Sequence, residues 1–151
     1  MKWYQMLLEL PQTLLGWIIT KCITIESRSE YNGRCLIYFK RDNWFSKIFS
    51  GTSLGFYILL PVGSSIVTVS HEYGHCLQSK KWKWLYLPVI GIPSICNNLR
   101  GRKIYKSMTY EERQADYYNR YPEKEADEIG GIVLVAGIRV LKANDTDVFA
   151  G

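Results

Sequence analysis

Ser70-His71-Glu72-Tyr73-Gly74-His75 sets the chain's two histidines four residues apart, with a glutamate directly after the first. On a helix this spacing puts both imidazoles on one face, one turn apart, as two ligands of a single tetrahedral zinc require. Glu72 leaves the same helix about 100° around from His71, so it can reach a metal-bound water while staying outside the ligand set. It is the candidate general base. A histidine pair without metal is the competing reading. The flanking sequence predicts the helix that the spacing needs: Gly63-Ser64-Ser65 offers an N-cap, and Ile66 to Lys80 contains no breaker except Gly74.

A catalytic zinc needs a third protein ligand and one open position. With no histidine left, the ligand must be a carboxylate or a thiolate. Glu123-Lys124-Glu125-Ala126-Asp127 supplies a glutamate and, one turn later on the same face, an aspartate able to accept a hydrogen bond from a ligating imidazole. Glu125 points elsewhere and reads as solvated. The segment Glu112-Arg113-Gln114-Ala115-Asp116 repeats the pattern eleven residues earlier, so spacing alone leaves both open. Glu123 is favoured because Pro122 fixes a helix start and the residues beyond Asp127 are apolar enough to pack on the motif helix. Cys76, next to His75, reads as a buried thiol.

The remaining elements predict an α+β domain. Cys22 to Glu26 and Cys35 to Phe39 read as strands of a hairpin around Asn32-Gly33, and Leu54 to Leu60 as a third strand stopping at Pro61. Tyr110 to Tyr118 predicts a helix. A last helix is expected from Pro122 through Asp127 into Ile129 to Leu141, weakened by Gly130, Gly131 and Gly137. Residues 1–20 predict an amphipathic or interfacial helix, with Leu7, Leu10, Leu14 and Ile18 on one face, and packing on the domain as the other reading. Residues 21–142 form one domain, and 143–151 a flexible tail.

With 151 residues and 47% hydrophobic content the chain can build a core without disulfides, and its four cysteines lack the spacing of a zinc knuckle. A net charge of +5 requires an acidic partner to be considered. Lys80, Lys81 and Lys83 interleave with Trp82 and Trp84, and the apolar run Leu85 to Cys96 follows, closed by Arg100, Arg102, Lys103 and Lys106. Basic and Trp-rich edges around an apolar insert suit an anionic membrane surface. Pro88, Gly91 and Pro93 predict a loop or hairpin dipping into the headgroups rather than a spanning helix, an ordinary core-covering loop being the bland alternative. No nucleic-acid-binding signature is present. No signal peptide is expected.

His71-Glu72-Tyr73-Gly74-His75, followed by Glu123-x-x-Ala126-Asp127 with Gly130 close behind, resembles the gluzincin metallopeptidases, specifically the membrane-associated group of CAAX prenyl proteases, bacterial stress-induced membrane proteases and the compact minigluzincins. The likeness covers two short helical segments. It implies a zincin-like fold, with a small antiparallel sheet packed on the motif helix and a second ligand-bearing helix. It also implies one zinc ion and a zinc metalloendopeptidase acting on peptide or protein substrates, with Leu54 to Leu60 as the strand pairing with them. An oxyanion donor would come from Tyr117, Tyr118, Asn119, Arg120 or Tyr121, and Arg120 and Tyr121 are the candidates put forward. The expected location is a membrane's cytoplasmic face, the alternative a soluble cytoplasmic enzyme. A non-catalytic zinc protein and a membrane-surface interaction protein are the competing functions.

Overall fold

The computed structural model describes residues 7–42, 44–135 and 137–142. The tail 143–151 and the first six residues of the N-terminal segment lie outside the described residues. The chain is α+β, built on a small mixed sheet. Helix α1 (Leu10–Cys22) leads into β1 (Ile25–Tyr31) and β2 (Arg34–Phe39). These strands form the expected antiparallel hairpin, because Asn32 (φ 47°) and Gly33 (φ 74°) adopt the two left-handed conformations that a tight two-residue turn needs. The first strand, expected over Cys22 to Glu26, starts only at Ile25 and runs to the turn, since α1 extends through Cys22.

The sheet is not wholly antiparallel. A short helix α2 (Trp44–Ile48) carries the chain beyond β2 to the far edge, where β3 (Thr52–Leu54) runs back and β4 (Tyr57–Pro61) rises beside β2. The order is β1-β2-β4-β3, and β2 and β4 are parallel because β3 supplies the return run. The strand expected over Leu54 to Leu60 is therefore two strands. Gly55 splits it: at φ +59° it makes the turn, and a Cβ there would meet the Thr13 hydroxyl at 2.1 Å.

Alternation along β2 and β4 builds the core on both sheet faces. Ile37, Phe39 and Leu59 pack with Ile23 and Phe45 on one side. Leu36, Ile58 and Leu60 meet Val69 and Cys76 of helix α3 (Ile66–Trp82) on the other. Burying each such aliphatic or aromatic side chain contributes roughly 1.5–3 kcal/mol, which anchors α3 to the sheet by one face and frees another for chemistry. The helix starts where Ser65 accepts from the Thr68 amide at 3.3 Å, and Lys80 and Lys81 favour the negative end of its dipole.

Residues 85–96, expected as a loop or hairpin, are helical. A single 3-10 turn at Lys83–Leu85 and a π turn at Leu87–Gly91 lead into α4 (Ile92–Ile104), then a further 3-10 turn at Tyr105–Ser107. Pro88 and Pro93 sit in the first turns of their segments, where a missing N–H costs nothing, so they start helix instead of breaking it. Helix α5 (Tyr110–Tyr118) begins at a capping box between Thr109 and Glu112. Helix α6 (Glu123–Ile129) follows Pro122 and ends at Gly130.

The helix expected to continue to Leu141 stops there. Gly131 turns left-handed (φ +76°), and the β-branched run beyond it pairs as an antiparallel hairpin, β5 (Ile132–Val135) with β6 (Ile138–Leu141). Glycine also sets how close α6 comes to α3. A Cβ on Gly74 would lie 2.0 Å from the Ala126 carbonyl oxygen, and one on Gly130 would lie 2.4 Å from that of Ser70. The two helices cross backbone to backbone.

Candidate metal centre

That close crossing brings one face of α3 against the start of α6. His71 and His75 project from α3 with ring centroids 4.7 Å apart and nearly perpendicular planes. Between them stands Glu123, 1% exposed, whose Oε2 is 3.1 Å from each Nε2. One nitrogen from each ring and one carboxylate oxygen thus converge within 4.8 Å of one another.

The outer nitrogens fix the tautomers. Asp127 Oδ1 lies 2.7 Å from His71 Nδ1, and a carboxylate can only accept, so Nδ1–H donates. Gln78 Oε1 lies 2.7 Å from His75 Nδ1, while the Gln78 amide donates to the Pro122 carbonyl and to Glu125. With both Nδ1 atoms donating, each neutral ring aims its Nε2 lone pair at an oxygen that also carries lone pairs. Only a cation relieves three such atoms facing one point, and two imidazoles with a carboxylate can hold one metal ion. Glu123 Oε1 is buried and has no hydrogen-bond partner among the described residues, as a ligand group would be.

Protons take the cation's part when no metal is bound. Burial opposes charge on His71, yet its contacts with Asp127 and Glu123 prevail and raise it to about 9. Burial likewise works against the Glu123 carboxylate, but the two histidines hold it well below the usual carboxylate range. Asp127 is lowered too, since His71 and Arg139 outweigh its burial. Arg139 grips Asp127 from β6, its Nε 2.8 Å from Oδ2, and its guanidinium lies 3.4 Å from the centroid of the Tyr118 ring.

Glu72 is buried beside the triad, outside it, and its carboxylate is steadied by the Ser53 hydroxyl, 2.6 Å from Oε2. Tyr86 donates to the Ser53 carbonyl at 3.0 Å and braces that contact from behind. Gly51 leaves room: a Cβ there would come within 3.0 Å of Glu72 Oε1. His71, Glu72, His75 and Glu123 all open on one cleft of about 810 Å³, which Tyr117 and Tyr118 also line.

The structure separates the two competing carboxylate pairs. Glu112 accepts from the Thr109 amide at 2.8 Å in the capping box, and Asp116 is bonded to Arg120 and to the Tyr105 hydroxyl, so both serve α5. Arg120 and Tyr121 do not join the site. Arg120 lies one turn after Asp116, which captures it, and the half-exposed Tyr121 donates to the Val89 carbonyl at 3.2 Å. Neither lines the cleft. Glu125, expected to be solvated, bridges Gln78 and Lys81. Cys76 is buried as expected, packed with Leu36, Ile58, Leu60 and Val69 against the sheet rather than with the ligand group, and burial pushes its thiol up to about 12.

Gln78, Arg139 and Ser53 were missed by sequence reasoning. Gln78 carries a legible signal, standing three residues after His75 on the same helix face. Arg139 and Ser53 carry none, because each reaches the site through a fold that local sequence does not state. Comparison with protein-family models, curated proteins and solved structures returns no match.

Proposed function

We propose that the chain is a zinc metalloendopeptidase in which His71, His75 and Glu123 bind the metal and Glu72 is the general base. The observation that carries this reading is the meeting of a three-atom N, N, O donor set with a separate buried carboxylate on one open cleft. Two histidines and a carboxylate are one of the ligand sets of catalytic zinc, which keeps a fourth position free. When bound, zinc supplies a Lewis acid and lowers the pKa of a water.

The chain's own groups do the rest. Glu72 takes a proton from the attacking water and returns it to the leaving amine, while Ser53 holds the carboxylate in place. Tyr117, which lines the cleft as Arg120 and Tyr121 do not, replaces them as the proposed oxyanion donor; burial, then the nearby Glu123, Tyr118 and Glu72 charges, push its hydroxyl well above the ordinary range and keep it protonated. An extended peptide would pair with β3, the edge strand beside Glu72, since β4 lies between β2 and β3. We place the activity on peptide or protein substrates at a membrane's cytoplasmic face. Among the described residues no helix is long and apolar enough to cross a membrane.

Replacing Glu72 by Gln tests the assignment. The variant should keep its zinc and lose cleavage of an unfolded protein substrate by a factor on the order of 10²–10⁴. Undiminished cleavage would remove Glu72 as the base. Full loss of zinc would make it part of a structural site.

A further inference from the structure

Helix α1 is turned inside out. Its buried positions are Gln12, Thr13, Gly16 and Thr20, while Leu10, Leu14, Trp17 and Ile18 are each about half exposed. The polar side is held inward by specific bonds. The Gln12 amide donates to Ser79 Oγ at 3.0 Å and to the Lys83 carbonyl at 2.8 Å, and Thr13 accepts from the Phe56 amide. A helix lying in water presents the opposite faces, so this apolar stripe calls for a cover.

The neighbouring surface indicates what covers it. From Leu10 to Ile25 the sequence has no acidic residue, and from Lys80 to Tyr110 it has seven lysines and arginines and again no acid. All seven are exposed, although Lys81 pairs with Glu125. Interleaved with them are the exposed Trp84, Leu85, Ile92, Ile95 and Leu99. This arm adjoins α1 directly, for the Gln12 amide reaches the Lys83 carbonyl and Trp84 donates at 3.1 Å to the carbonyl of Leu7, just ahead of the helix. Leu15 and Ile19 from α1, and Ile92, Ile95, Arg102 and Lys106 from the arm, line the same cleft.

We infer that α1 and the arm from Lys80 to Lys106 form a docking surface for an anionic lipid bilayer, which sets the mouth of the cleft against the headgroups. The aliphatic and indole groups enter the interface, and the basic groups around them reach phosphate. A two-fold contact with a second copy would bring the same cations against themselves, whereas anionic headgroups neutralise them. The inference deepens the membrane placement and is independent of the hydrolytic reading.

The test is flotation of the full chain with vesicles of phosphatidylcholine alone and of phosphatidylcholine with phosphatidylglycerol. The protein should float with the mixed vesicles only. Leu14→Ser with Trp17→Ser and Ile18→Ser, and separately Lys80→Gln with Arg100→Gln and Lys103→Gln, should each weaken binding about a hundredfold while the melting temperature and zinc content hold. Glu72→Gln should float as the parent does, which separates docking from catalysis. Equal flotation with neutral vesicles, or binding unchanged in either triple variant, overturns the inference. So does a parent dimer that the α1 variant converts to monomer without any lipid binding.

Discussion

At the scale of single residues the account rests on where protons sit. In the metal-free protein His71 is held at about 9 against an ordinary 6.5, so its charge stabilises the fold. A raised pKa contributes stability that is complete below the unfolded value and fades as pH rises through the folded one. The melting temperature of the metal-free chain should therefore fall between pH 6.5 and about 9. Zinc replaces that proton, so the loaded protein should show no such decline. Thermal melts across this window, with and without chelator, check it; a metal-free profile that is flat or rising would contradict the pairing with Asp127 and Glu123. In acid the direction reverses, because Glu123 and Asp127 are lowered and their contribution is lost as pH drops through the carboxylate range. His71, Glu72 and His75 were legible as a group because four-residue spacing on a helix is a local rule. Asp127 was legible for the same reason, one turn beyond Glu123. Ser53 and Arg139 come from β3 and β6, where no local rule joins them to α3.

At the scale of elements the decisive contact is glycine against backbone. Gly74→Ala would drive a methyl into the Ala126 carbonyl, so α6 must lift from α3 and carry Glu123 away from the histidines. The expected result is a loss of about 1–3 kcal/mol by denaturant unfolding and a marked fall in zinc affinity. Wild-type affinity in a folded variant would contradict the crossing. Elements with strong end signals were legible: α3 through Ser65, the start of α6 through Pro122, and the first hairpin through Asn32-Gly33. The pairing of β2 with β4 was not, because parallel strands are joined by long-range topology rather than by a turn. The stretch from Gly130 to Leu141 misled because its apolar run fits a helix as well as a strand, and the left-handed Gly131 decides it. Pro88 and Pro93 misled in the other direction, as helix starters read for breakers.

At the scale of the molecule two polar knots tie distant segments together. In one, Glu9 receives both Arg34 terminal nitrogens at 3.0 and 3.2 Å and the Ser79 hydroxyl at 2.7 Å, joining the α1 segment to β2 and α3. Glu9→Ala leaves the Arg34 charge buried and unpaired, with an expected loss of about 3–5 kcal/mol on denaturant titration. A change near zero would mean that Arg34 is solvated. The other knot is the metal centre, where α3 meets a glutamate 48 residues beyond His75 in sequence. Metal should therefore stabilise the whole fold as well as the site. The central claim, that this junction holds zinc through Glu123, is tested most directly by the zinc content of three purified proteins. The parent chain and Glu112→Ala should each carry about one equivalent, and Glu123→Ala should carry almost none. A parent chain without zinc, or a Glu123→Ala protein that retains a full equivalent, would contradict it.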